Sequence, residues 1–160
     1  MIKFIGLLLL TTTLLWSGQS FKEYRYIYSI DKHLELSGVI EFESEKMEIR
    51  YREPQIRRIV YDGESMDTYD HDILTQHIDL ASKPMMQLYM HFIFELYQGN
   101  FKALEENFNI AYEEDIVRLT PVPPADKVIT SVEILRSDNE IRKIMTKMSN
   151  GDEITLDITP

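Results

Sequence analysis

The sequence predicts a mainly β fold, in which about ten or eleven antiparallel strands form one curled, open barrel with a helix in its mouth. Short runs such as Met47, Ile49 and Tyr51 alternate with charged residues, which places apolar side chains on one face of a sheet. Turn signals such as Asp62-Gly63 separate these runs. A helical stretch between two groups of strands is apolar nearly all round, so it must be surrounded and can itself cover the sheet.

The strands alternate with turns along almost the whole chain. The predicted strands cover residues 24–30, 34–44, 46–52, 55–61, 65–70, 73–80, 108–112, 116–120, 128–135, 141–148 and 154–158. Tyr24, Tyr26 and Tyr28 give the first strand an aromatic face. Asp62-Gly63 and Asn150-Gly151 are expected to form type I′ hairpins, which need positive φ at both central residues.

The helical stretch reads MMQLYMHFIFELYQ. Ser82 is expected to cap its start, Pro84 lies in the first turn, where a missing N–H is harmless, and Gly99 ends it. His91 lies within this stretch and is expected to be a buried, hydrogen-bonded histidine rather than a catalyst. A second, short helix is predicted over residues 100–106.

The first twenty residues have the pattern of a secretory signal peptide. Lys3 precedes an apolar stretch over residues 4–16, and Gly18 and Ser20 stand at −3 and −1 of a cleavage site before Phe21. The alternative, a membrane anchor, requires a longer apolar stretch. We therefore expect a signal peptide over residues 1–20 and a single domain over residues 21–160. The chain has no cysteine, so neither disulfides nor lipid attachment at a cysteine can occur.

The net charge excludes some classes of partner. It is −10 for the whole chain and −11 after removal of the first twenty residues, since Lys3 is their only charged residue. Such a charge argues against a nucleic-acid partner and against an electrostatic hold on an anionic membrane surface.

The apolar helix and the apolar sheet face can be interpreted in two ways: as an ordinary filled core, or as the lining of a cavity that takes an acyl chain. Methionine and aromatic side chains repack readily around varied ligands, which favours the cavity slightly. The candidate cavity residues are Tyr26, Tyr28, Ile40, Phe42, Met47, Ile49, Tyr51, Ile59 and Tyr61 from the strands, and Met86, Leu88, Tyr89, Met90, Phe92, Ile93 and Leu96 from the helix.

Other chemistries have weaker support, and we expect no cofactor, no metal and no enzymatic activity. The acidic and histidine residues that could hold a divalent metal follow no specific ligand spacing; they are Asp67, Asp70, His71, Asp72, His77 and Asp79. No GxSxG motif and no Ser–His pairing suggests a hydrolase. The arginines at 50, 52, 57 and 58 can dock an acidic partner or pair with glutamates on neighbouring strands, and we favour the pairing.

The order of several short motifs resembles the LolA family of periplasmic lipoprotein carriers. These motifs are Ser37-Gly38 before an alternating strand, Pro54, the run Ile59-Val60-Tyr61-Asp62-Gly63, Met66, Tyr69-Asp70 and Leu119-Thr120-Pro121. The resemblance covers nearly all of the mature chain, and its strongest part is the I-V-x-D-G hairpin one strand after a proline. It implies a half-barrel of eleven antiparallel strands under helices, whose cavity binds the acyl chains of lipoproteins or other lipids.

The resemblance also implies a place and partners. A periplasmic monomer would receive its cargo from an inner-membrane release complex and pass it to an outer-membrane acceptor. Two features depart from the family: almost nothing precedes the first strand after cleavage, and the position of the arginine that holds the family's lid shut falls near Ser44-Glu45. These departures fit a relative that carries another lipid or glycolipid. The alternative is a non-catalytic periplasmic protein-binding or scaffold module with the same fold and a filled core.

Overall fold

The computed structural model describes residues 18–159, so most of the predicted signal peptide lies outside the described residues. Within this range the chain forms eleven strands and a single α-helix. The strands are β1 (Gln19–Ile27), β2 (Lys32–Glu43), β3 (Lys46–Glu53), β4 (Arg57–Tyr61), β5 (Ser65–Asp70), β6 (Ile73–Asp79), β7 (Phe108–Glu113), β8 (Ile116–Pro121), β9 (Ile129–Ser137), β10 (Glu140–Met148) and β11 (Glu153–Thr159). The helix α1 (Pro84–Tyr97) connects β6 to β7. The start of β1 includes Gln19 and Ser20, which the predicted cleavage would remove.

All eleven strands belong to one antiparallel sheet in the order β6-β5-β4-β3-β2-β1-β11-β10-β9-β8-β7. Within each of two groups, β1 to β6 and β7 to β11, strands that are consecutive in the chain are neighbours in the sheet, and the pairing of β1 with β11 joins the two groups. The sheet is curled and unclosed, with β6 and β7 at its edges. This confirms the prediction of an open, curled antiparallel sheet with a helix against it. Among the described residues, no helix combines the length and the apolar character that a membrane span needs.

One face of the sheet is apolar and faces α1. Its buried side chains come from both groups of strands: Phe21, Ile40, Met47, Ile49, Tyr51, Tyr61, Ile78, Phe108, Val117, Leu119, Val132, Ile134, Ile144, Leu156 and Ile158. The residues between them along each strand point to the opposite face, as the period of a strand requires. We call these the inner face and the outer face.

Gly38 of β2 lies on the inner face between Phe21 of β1 and Tyr51 of β3. A Cβ at this position would lie 2.3 Å from the backbone oxygen of Arg50 and 2.9 Å from Cζ of Phe21, too close for either contact. The missing side chain allows the Phe21 and Tyr51 rings to meet edge to face, with centroids 5.6 Å apart.

We expect Gly38→Ala to lower the free energy of unfolding by about 1–3 kcal/mol, because the added methyl must displace backbone as well as a ring. Urea denaturation measures this change. Gly99→Asn is the control: Gly99 has φ of 72°, a conformation that asparagine tolerates, and an added Cβ would lie 3.7 Å from its nearest neighbour. Equal stability of Gly38→Ala and the unmodified chain would contradict the close approach.

The inward orientation predicted for the tyrosines of the first strand is wrong. Tyr24 lies on the outer face and is exposed, while Tyr28 belongs to a 3-10 turn (Tyr28–Ile30) and is 64% exposed. The side chains of β1 that point inward are those of Phe21, Glu23 and Arg25 instead.

The predicted type I′ turns also differ. At Asp62-Gly63 only Gly63 has positive φ, and the Asp62 carboxylate accepts hydrogen bonds from the Glu64 and Ser65 N–H groups at 3.0 and 2.7 Å. At Asn150-Gly151, likewise, only the glycine has positive φ. Positive φ at two successive residues occurs at His71-Asp72 and Asp138-Asn139. Asp and Asn adopt this conformation at low cost, so a glycine was not needed there.

The N-cap of α1 is Lys83, one residue later than the expected Ser82. Ser82 ends a 3-10 turn (Leu80–Ser82), and its hydroxyl donates to the Asp79 carbonyl at 2.9 Å. Lys83 precedes the first residue of the helix, with φ −135° and ψ 70°. Pro84 explains this boundary, because a residue before proline is excluded from the helical region. The end of α1 is as predicted, with Gly99 at φ of 72°. The second predicted helix is a 3-10 turn (Phe101–Leu104).

Candidate functional site

Helix α1 crosses the concave inner face and contacts both groups of strands. On one side, the Phe94 ring packs 5.9 Å from that of Phe42 and 5.8 Å from that of Tyr61. On the other side, the Phe92 ring lies 5.1 Å from that of Phe108, on the edge strand β7. These flanking positions of the helix are buried. The two flanks of α1 are therefore sealed against the sheet.

The middle of the inward side of α1 is different. Met86, Tyr89, Ile93 and Tyr97 follow each other at intervals of three and four residues, so they share one side of the helix. All four are half-buried, whereas Phe92 and Phe94 on the flanks are buried. We call them the central strip.

The surroundings of the central strip are nonetheless those of a protein interior. Burial raises the pKa of the Tyr89 hydroxyl to about 12 and that of Tyr97 well above its ordinary value. The charges of Glu23 and Arg25 also act on the pKa of both tyrosines, which places the central strip over β1. Side chains that are enclosed and yet partly accessible are typical of the lining of a cavity.

A polar cluster formed by Glu23, Arg25 and Tyr51 lies on the inner face beneath the central strip. Glu23 is only 3% exposed. Its Oε1 accepts from Nε of Arg25 at 2.8 Å and from Nη2 at 2.5 Å, and its Oε2 accepts from the Tyr51 hydroxyl at 3.1 Å. A buried carboxylate needs such partners, since an unpaired charge in an apolar interior is very costly. Burial also raises the pKa of Tyr51.

A cleft of about 370 Å³ opens beside the last turn of α1. It lies between the helix and the hairpin of β9 and β10, and its apolar lining includes Tyr97, Phe101, Ile141 and Ile158. Tyr97 belongs both to the lining of the cleft and to the central strip. The cleft therefore leads from the surface to the end of the central strip.

Most of the predicted cavity residues come together between the sheet and α1. They are Ile40, Phe42, Met47, Ile49, Tyr51, Ile59 and Tyr61 on the inner face, and Met86, Leu88, Tyr89, Met90, Phe92, Ile93 and Leu96 on the helix. Two do not join them: Tyr26 alternates with the inward residues of β1 and stacks on His33, and Tyr28 is exposed in its turn. Glu23, Arg25, Phe94 and Tyr97 also lie between the sheet and α1, although the sequence pattern did not single them out.

Several other candidates lie elsewhere. His91 is exposed on the outer side of α1, so its expected burial is wrong. His77 Nδ1 lies 2.6 Å from Asp67 Oδ1, but no three metal-ligating side chains come together within residues 18–159. Three of the four arginines pair with acidic residues of a neighbouring strand, as the cross-strand alternative predicts: Arg50 with Glu41 at 3.2 Å, Arg57 with Asp70 at 2.8 Å and Arg58 with Glu48 at 3.9 Å. The described residues show no ion pair of Arg52.

Comparison of the chain with protein-family models and with curated proteins finds no match.

Proposed function

We propose that this protein is a non-catalytic periplasmic carrier that binds acyl chains of lipoproteins, or of a related lipid or glycolipid, between α1 and the inner face. One observation carries the proposal: the central strip keeps accessible surface over a concave apolar sheet while both flanks of the helix are sealed. Each buried CH₂ of a chain is worth about 0.8 kcal/mol, so such a lining can hold hydrocarbon that water rejects.

Entry of a chain requires α1 to move away from part of the sheet. The helix lies between two 3-10 turns, Leu80–Ser82 and Phe101–Leu104, and short segments of this kind can absorb a change in backbone angles. The side chains that would give way include Met86, Tyr89 and Ile93, which are already incompletely packed. Methionine adapts to such changes at low cost.

The same arrangement supports membership of the LolA family, which we also propose. An unclosed sheet of eleven antiparallel strands with a helix across its concave face is what that resemblance implies. The cargo would then pass from an inner-membrane release complex to an outer-membrane acceptor through a monomeric carrier. The lid arginine of the family has no counterpart at Ser44-Glu45, but Arg25 provides a guanidinium beneath the helix from another strand.

Uptake of an uncharged fluorescent acyl-ester probe tests the proposal. We expect the unmodified protein to bind the probe and Ile49→Asp to abolish binding, because Ile49 is buried on the inner face and a carboxylate there repels hydrocarbon. Glu48→Ala is the matched control, because Glu48 precedes Ile49 on the same strand but its side chain points to the outer face, where it pairs with Arg50. Thermal unfolding verifies that each variant is folded.

Native mass spectrometry provides an independent test. Protein purified from a periplasm should carry a lipid or lipoprotein. A clean apo mass, together with no probe uptake by the unmodified chain, would overturn the carrier function.

A second candidate, a scaffold module with a filled core, is favoured by the complete burial of much of the interior. Met47, Leu96 and Ile134 have no accessible surface at all. A scaffold would not bind the probe. Substitution of Ile49 would leave its binding to protein partners unchanged. The carrier proposal is preferred because the fully buried residues belong to the sealed flanks and the sheet, whereas the central strip stays accessible.

A further inference from the structure

We propose that the polar cluster of Glu23, Arg25 and Tyr51 binds the uncharged carbonyl linkage of an acylated ligand, an ester or an amide, and discriminates against a free fatty-acid carboxylate. This inference rests on the proposed function, because it requires a chain between α1 and the inner face. It adds the chemical class of the ligand.

Arg25 has hydrogen-bond donors left for a ligand. A guanidinium carries five N–H donors, and Glu23 accepts from two of the nitrogens, Nε and Nη2. Nη1 is not used by Glu23. The side chain of Arg25 is 37% exposed, whereas that of Glu23 is 4% exposed, so a ligand can reach the arginine but not the carboxylate.

The charge of the cluster decides which ligand fits. Glu23 already neutralises Arg25, so an incoming carboxylate would put two anions beside one cation in an enclosed site. Like charges at this short distance repel, and a half-buried site screens the repulsion less than bulk water does. A carbonyl oxygen only needs a donor and brings no net charge. The tyrosines around the cluster, at positions 51, 89 and 97, add no charge at neutral pH, because burial raises the pKa of each.

The order of the inward side chains along β1 matches that of an amphiphilic ligand, which has an apolar chain and a polar group at one end. The inward residues of this strand change from apolar to charged in the order Phe21, Glu23, Arg25, and Arg25 is by far the most accessible of the three. Beyond Arg25 the strand ends at the exposed turn Tyr28–Ile30. A chain packed near Phe21 would thus place its linkage at Arg25 and its polar group towards solvent.

Competition with an uncharged fluorescent probe at pH 8 tests the inference, with monododecanoylglycerol and dodecanoate as ligands of equal chain length. Because the ester is also the less soluble of the two, the decisive quantity is the change of the affinity ratio in Glu23→Gln. This nearly isosteric variant leaves the charge of Arg25 uncompensated. We expect the affinity for dodecanoate to increase tenfold or more and that for the ester to change less than threefold.

Glu48→Gln is the matched control, since it removes one negative charge from the outer face and should leave the ratio unchanged. An unchanged ratio in Glu23→Gln, with both ligands bound, would overturn this inference and leave the carrier function standing. If neither ligand displaces the probe from the unmodified protein, both fail.

A second measurement needs no variant. The infrared carbonyl stretch of bound monododecanoylglycerol should shift to lower frequency than in hydrocarbon, because the Arg25 donors bind the carbonyl. A frequency equal to that in hydrocarbon would overturn the inference even if Glu23→Gln failed to fold.

Discussion

Phe92→Ala is expected to lower the free energy of unfolding by about 3–5 kcal/mol, because it removes a buried ring and leaves a cavity that its neighbours can fill only in part. Phe92 is 2% exposed and lies between the rings of Phe108, at 5.1 Å, and Tyr89, at 6.2 Å. The substitution thus removes the contact between α1 and the edge strand β7. Urea denaturation followed by circular dichroism measures the loss.

The neighbouring residue provides the control for this prediction. His91 is exposed on the same helix, so His91→Ala should change the free energy of unfolding by no more than about 0.5 kcal/mol. A similar effect of the two substitutions would mean that α1 is not anchored through Phe92, and the sealed flank described above would be wrong.

Arg25→Met is expected to lower the free energy of unfolding by about 2–4 kcal/mol at pH 7, since it leaves the carboxylate of Glu23 buried without its cation. The value is below the largest known for buried ion pairs because Arg25 itself is partly exposed and its charge is screened by solvent. Thermal and urea denaturation at neutral pH both report it.

The double variant Glu23→Leu/Arg25→Met separates loss of a contact from burial of an unpaired charge. It should be more stable than Arg25→Met alone, because removing both charges also removes the cost of leaving one of them unpaired. A double variant that is less stable than either single variant would show that the pair contributes mainly through its own attraction.

The strand pattern was predictable because alternation at period two is a local property of the sequence. The predicted strand at residues 65–70 agrees with β5 at both ends, and the pairing of β3 with its neighbours follows the alternation of Met47, Ile49 and Tyr51. Period two, however, defines two faces without saying which of them is covered. For β1 the aromatic face was expected inside, whereas the structure turns Glu23 and Arg25 inward.

Only some of the contacts in the polar cluster could be predicted from the sequence. Opposite charges two residues apart on a strand share a face, so Glu23 and Arg25 could have been recognised as a pair that neutralises itself. The third member, Tyr51, comes from β3, and only the register of β1, β2 and β3 brings its hydroxyl to Glu23. The predicted turn types were wrong for a related reason: Asp138 and Asn139 adopt positive φ without glycine, and the sequence alone does not distinguish them from ordinary loop residues.

The sheet does not close on itself, and its two border strands leave backbone donors and acceptors without a neighbouring strand. Such borders favour stacking of one molecule on another and growth into fibrils. Here β6 carries Thr75, Gln76, His77 and Asp79, both border strands have only six or seven residues, and every molecule carries a formal charge of −10. Mutual repulsion and the shortness of the borders should therefore keep the protein dispersed at high concentration, and lowering the net charge should promote filament growth before it affects the stability of the fold.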